Sequence, residues 1–172
     1  MRVILTGLLS LAVLCGGCGY KHVTYGQGLG AARRVSIETL SNESDEPGVE
    51  MMLSEALRRE FLRRGAVSLV ADAKDADLVL RGRVLRIRTQ ARSFSAVVLA
   101  LEYSVTLEIA LEVAWRDGQR VPIDRRSLNQ TAIYLASADL EVGRKNRDEA
   151  LRRISTLLAA RVYDALVTEV TE

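Results

Sequence analysis

From Leu99 to Trp115 every odd position is apolar, and no other stretch of the chain constrains the fold as much. Leu99, Leu101, Tyr103, Val105, Leu107, Ile109, Leu111, Val113 and Trp115 alternate with Ala, Ser, Thr and Glu only. Strand side chains point to opposite faces in turn, so alternation this long predicts a strand with one face buried and the other toward water or a partner. Arg116-Asp117-Gly118-Gln119 reads as the hairpin turn that follows it. A fifth strand is expected within Val121 to Ala138. Upstream, Leu78 to Gln90 is a third strand whose apolar phase slips. Leu78, Leu80 and Val84 fall on one parity and Leu85 and Ile87 on the other, so a β-bulge near Gly82 to Val84 is expected.

Two amphipathic helices have to cover this hairpin. Val49, Leu53 and Leu57, with Met52, Ala56 and Phe61, recur at helical spacing, and Gly65 supplies a stop. Pro47 suits the first helical turn, with Asp45 and Glu46 placed to cap it or to favour its positive end. Arg33 to Leu40 before this helix and Val67 to Val70 after it read as strands, an order that implies a right-handed parallel unit. A last helix is expected from about Arg147 to Val170, with Leu151, Ile154, Leu158, Val162 and Ala165 on one stripe. The expected class is α+β: two helices on one face of a mixed four- to five-stranded sheet. It opens with a βαβ unit and continues with a long antiparallel hairpin and a C-terminal helix.

The beginning of the chain is of another kind. Met1-Arg2, an apolar run from Val3 to Leu14 and then Gly16-Gly17 describe an export signal. The run is too short for the roughly 20 residues that span a bilayer. Cys18 at the cut marks the lipoprotein variant, with the thiol carrying a diacylglyceryl group. The position three before it holds Cys15 instead of the usual aliphatic; lipidation at Cys15 would put bulky Leu14 at the cut, so Cys18 is the expected site. The expected organisation is a signal over 1–17, an anchor and flexible tether over 18–32, and one domain over 33–172. The tether is glycine-rich, and the spacing of Gly26, Gly28 and Gly30 is no dinucleotide fingerprint, since Ala31 stands near where the last glycine is needed. With Cys15 removed and Cys18 acylated, the domain has no thiol for a disulfide or a metal.

Catalytic groups are scarce. His22 is the one histidine and lies in the tether, so no Ser-His-Asp arrangement or histidine metal cluster can be built. Glu108 and Glu112 share the polar face of the long strand but stand roughly 13 Å apart at about 3.4 Å per residue. That is wider than the roughly 5 to 9.5 Å of a glycosidase pair. Neither an enzyme nor a cofactor is expected. A net charge of +2 gives no case for nucleic acid. Arginines are nevertheless clustered: Arg81, Arg83, Arg86, Arg88 and Arg92 on one strand, Arg125-Arg126 further on, and Arg144-Lys145-Asn146-Arg147 before the last helix. Guanidinium groups suit bidentate phosphate binding, and solvated charge on a sheet's outer face is the alternative. Arg81 and Arg83 share a face that Arg86, Arg88 and Arg92 join only through a bulge.

Several segments together resemble a known family. They are Cys18-Gly19-Tyr20; Asn42-Glu43-Ser44-Asp45-Glu46-Pro47-Gly48-Val49-Glu50 leading into a helix; Ala76-Asp77-Leu78-Val79-Leu80-Arg81-Gly82-Arg83-Val84; Glu102-Tyr103-Ser104-Val105; and a terminal helix near Ala150-Leu151. In this order they resemble the lipopolysaccharide-assembly lipoprotein family, LptE, across the mature chain. The resemblance implies an outer-membrane lipoprotein on the periplasmic side, seated in the lumen of a large β-barrel of the LptD kind. It implies a role in assembling that barrel and in delivering lipopolysaccharide to the outer leaflet. Under that reading Arg86, Arg88, Arg92, Arg144, Lys145 and Arg147 are the candidate contacts to lipopolysaccharide phosphates. The alternative is an envelope scaffold or secretion-channel lipoprotein that binds other proteins and no lipopolysaccharide.

Overall fold

The computed structural model describes residues 28–94, 100–124 and 128–171. The expected export signal, Cys18, His22, Leu99, Arg125 and Arg126 lie outside them. The elements are β1 (Arg34–Ile37), β2 (Ser41–Asn42), α1 (Val49–Arg64), β3 (Ser68–Leu69), β4 (Leu78–Phe94), β5 (Ala100–Trp115), β6 (Arg120–Val121), β7 (Asn129–Leu135) and α2 (Leu140–Thr171). A short 3-10 turn, Ala73–Asp75, precedes β4. The sheet runs β3-β1-β4-β5-β6, with β2 also along β4 and β7 also along β5. β1 is parallel to both β3 and β4, as the strand–helix–strand opening predicts, whereas β4, β5 and β7 are antiparallel. This is the α+β fold expected.

The slip in the third strand is a bulge, one step later than expected. Val84 pairs with Ile109 and Arg86 with Glu108, which leaves Leu85 as the extra residue. Residues directly opposite in an antiparallel ladder share a face. Leu78, Leu80, Gly82 and Val84 therefore continue on the inner face as Ile87 and Thr89, matched by Val113, Leu111, Ile109, Leu107 and Val105. Gly82 is where this face has no room: a Cβ there would lie 2.6 Å from the Ala110 carbonyl and 2.5 Å from a Leu111 methyl.

Both helices lie on that inner face. Val49, Leu53, Ala56, Leu57 and Phe61 of α1 and Ala150, Leu151, Ile154, Leu158, Val162 and Leu166 of α2 join the strands in one core. Phe61 meets Tyr163 edge-on, with ring centroids 5.0 Å apart, and Arg64 lies over the same tyrosine. The core takes in Leu29 and Ala32 as well, both fully buried in the stretch that the sequence groups with the tether. Gly30 between them has φ of 55° and passes so close to Val170 that a Cβ would sit 2.7 Å from its methyl group.

The start of α1 differs in detail from expectation. Its cap is Gly48, with φ of 86° and no side-chain bond, and neither Asp45 nor Glu46 fills that role. Asn42 organises the loop instead: its amide donates to the Glu46 carbonyl at 2.7 Å and to Glu50 at 2.8 Å, and its Oδ1 accepts from Ser44. The Asn-to-Glu segment of the family resemblance is thus a loop clamp, and Glu46 is left free to reach α2.

Candidate functional site

A cleft of about 930 Å³ opens where the far end of the β4–β5 hairpin meets the end of β7 and the first turns of α2. Its floor is aromatic and aliphatic. Tyr103 and Tyr134 stand opposite each other in the β5–β7 ladder and their rings stack, with centroids 5.5 Å apart and planes at 23°. Leu101 and Leu140 line the same space and are 50% and 87% exposed, so apolar surface is offered there. Burial, the larger influence, raises the Tyr134 hydroxyl above its ordinary pKa, while the nearby Arg147 charge and hydrogen bonds with Thr89 and Arg147 oppose the rise.

The rim is basic and comes from α2. Asp139 caps that helix by accepting from the N–H groups of Glu141 at 2.8 Å and Val142 at 3.2 Å. The helix therefore begins two turns before the expected Arg147. Its first turns hold only Leu140 and Val142 as large apolar residues and bury nothing before Ala150, so the spacing of apolar residues could not reveal them; the Ser137-Ala138-Asp139 cap could have. As a result Arg144, Lys145 and Arg147 are helical. Arg144 and Arg147 line the cleft, and Lys145 is exposed on the same turn. Arg144 is paired with Glu141 at 2.7 Å, both well exposed. Arg147 is paired with Glu46 at 2.5 Å, which ties the clamp loop to the cleft.

The second predicted cluster lies elsewhere. Through the bulge Arg86 and Arg88 join Arg81 and Arg83 on the outer face of the sheet, away from the helices. Arg81 is paired with Glu38 and Arg83 with Glu43. Arg92 falls in a second register irregularity, between Ala91 and Ser93, and is exposed. The structure thus brings Arg144 and Arg147 together at the cleft and sets Arg86 and Arg88 on a different surface. Glu112 and Glu108 stand opposite Arg81 and Arg86 in the ladder, as parts of a charged strand face. Among the described residues no cluster of His, Cys, Asp and Glu could hold a metal ion, and no helix is long and apolar enough to cross a membrane.

Two amphipathic helices over a curled mixed sheet with a long hairpin form a class seen in other bacterial proteins. Solved structures with this fold include the rare lipoprotein B of Shewanella oneidensis, 17% identical, with a TM-score of 0.54 over 79% of this chain and 95% of that one. Lipoprotein B of Nitrosomonas europaea is 12% identical, with a TM-score of 0.55 over 87% and 92%. A Chlamydia trachomatis hypothetical protein is also 12% identical, with a TM-score of 0.54 over 81% and 98%. No curated protein matches the sequence. The family model described as LptE, lipopolysaccharide-assembly, matches residues 32–166, so the chain belongs to that family.

Proposed function

We propose that this chain is an outer-membrane lipoprotein, anchored through Cys18, that partners a large β-barrel of the LptD kind. It assists assembly of that barrel and passes lipopolysaccharide toward the outer leaflet, and its part is binding and positioning, without catalysis. Membership of the lipopolysaccharide-assembly family supports the class of role. The cleft carries the ligand part of the reading: an apolar floor at Leu101, Tyr103 and Leu140 beside guanidinium groups at Arg144 and Arg147 matches an amphiphile with acyl chains and phosphates. Arg86, Arg88 and Arg92 belong to the same phosphate-binding proposal, on a separate surface, with the cleft cluster as its main element.

The test is lipopolysaccharide binding by two triple variants, Arg144→Ala/Lys145→Ala/Arg147→Ala and Arg86→Ala/Arg88→Ala/Arg92→Ala, each with a melting curve. The first should bind more weakly and lose part of its salt sensitivity, because exposed charge is screened within about 8 to 10 Å at ordinary ionic strength. Wild-type binding by both variants at low and moderate salt would reduce these residues to a solvated face. For the anchor, Cys18→Ala should leave an unprocessed precursor and abolish lipid labelling; labelling that moved to Cys15 would correct the site. Purification from crosslinked outer membranes should recover a β-barrel, and recovery of a ring or scaffold protein would favour the alternative role.

A further inference from the structure

The free side of β4 changes character along its length. β1 lies against it from Leu78 to Leu80 and β2 at Arg83 and Val84. The Glu43 N–H then donates to the Val84 carbonyl at 2.9 Å. Beyond Val84 no described strand lies against that side, although β4 itself continues to Phe94. From Arg86 to Phe94 only Ile87 and Ser93 are even half-buried. Register irregularities at Leu85 and near Arg92 bracket a regular stretch between them. No described strand pairs with the row of backbone donors and acceptors there, and such an edge is a template for another strand.

The covered half shows what chemistry the open half lacks. Each neighbouring strand delivers one carboxylate to an outer-face arginine. Glu38, just past β1, meets Arg81 at 2.8 Å, and Glu43, just past β2, meets Arg83 at 3.2 Å. Arg86 and Arg88 continue that row on the same face, where no described strand follows to supply the next carboxylates. Glu108 stands across the ladder from Arg86, yet no ion pair joins them.

We infer that the edge of β4 between Leu85 and Arg92 accepts an extended segment of a partner protein as an additional strand. That segment carries Asp or Glu at alternate positions, which meet Arg86 and Arg88 as Glu38 and Glu43 meet Arg81 and Arg83. Backbone bonds supply affinity and the carboxylates fix register. The chain's own remaining residues do not fit. Residues 1–27, 95–99 and 125–127 contain no Asp or Glu, Glu172 alone is too short to form a strand, and the first of these runs leads into Gly30, which lies beside Val170 near the end of α2. A second copy fits no better, because edge-to-edge pairing would bring arginine against arginine.

This surface and the lipopolysaccharide cleft make separable claims. Phosphate contact at Arg86 and Arg88 engages side chains alone, whereas an added strand also protects the backbone. The probe is a ten-residue peptide alternating Glu with Thr, compared with one alternating Lys with Thr, titrated onto the full chain in detergent micelles. Hydrogen exchange is read across residues 85–94. The Glu peptide should slow exchange there and leave β7 unchanged, and the Lys peptide should not. Arg86→Gln/Arg88→Gln should weaken the Glu peptide about tenfold with melting unaltered, as expected for two exposed ion pairs. Arg86→Glu/Arg88→Glu should reverse the preference. Unslowed exchange at saturating Glu peptide, or equal binding by the Gln variant, would overturn the inference. So would protection of the edge by dimers without peptide. Purified lipopolysaccharide should leave these amides exchanging freely whether or not it binds the cleft.

Discussion

Asp77 accepts from the backbone N–H groups of Arg33 at 3.1 Å and Arg34 at 2.9 Å, and from the Arg34 side chain at 3.0 Å. Arg116, from the β5–β6 turn, reaches the same carboxylate at 3.4 Å. The start of β1, the start of β4 and the end of the hairpin are thereby fastened at one side chain. The backbone bonds above all, with the Arg34 side chain, hold its pKa down to about 2 from an ordinary 3.8. A carboxyl lowered on folding adds stability that is complete above its unfolded pKa and is lost as pH falls through the folded one. The contribution of Asp77 should therefore disappear between about pH 4 and pH 2. Asp77→Asn should melt lower than wild type at neutral pH and lose less on acidification; parallel melting curves across that window would count against it. Gly82 is a second residue whose role is geometric. Gly82→Ala places a methyl group against the Ala110 carbonyl and Leu111, so overpacking should cost about 1 to 3 kcal/mol in denaturant unfolding.

At the scale of elements, β7 shows how α2 finishes the sheet. Asn146 donates to the Leu135 carbonyl at 3.0 Å, Arg153 to Ile133 at 3.0 Å and Arg161 to Asn129 at 3.3 Å. Seven- and eight-residue steps keep these three donors on one side of a helix, which runs antiparallel to the strand and closes its outer edge. Removing one donor should cost about 0.5 to 1.5 kcal/mol. Arg153→Ala should speed hydrogen exchange in β7 more than in β4, and a uniform change across the sheet would show that the bond has no local role. None of this could be read in the sequence, where the same residues look like a solvated helix face. The hairpin was legible because alternation along β5 is uninterrupted, and α1 because its stripe ends at a glycine. The fifth strand was legible only as a region. Pro122, which has no N–H for a ladder, follows β6 directly, and the next described strand begins at Asn129. The cleft was half legible: Arg144 and Arg147 stood out as charge, but only the fold sets Tyr103, Tyr134 and Leu101 beside them.

The whole molecule rests on one core to which both helices, the hairpin and the β1 unit contribute. Leu53, Leu107 and Leu158 are each fully buried in it, one per helix and one in β5. Truncating any of them to Ala should cost about 2 to 5 kcal/mol. Because the core is shared, each variant should still unfold in a single transition; two separated transitions would mean that the α1 and hairpin halves are independent. α2 spans this body from the cleft to the point where the chain enters the fold. From Arg144 to Val170 it rises about 40 Å at 1.5 Å per residue, and Gly30 is pressed against Val170. With the proposed lipid at Cys18, the ten residues from there to Gly28 reach at most about 35 Å even when taut. A lipid at Cys18 would therefore moor the foot of the domain within that reach of a leaflet, with the cleft a helix length further along. The tether is nearly as long as the helix, so one anchor would let the cleft either stand clear of the membrane or swing down to its surface.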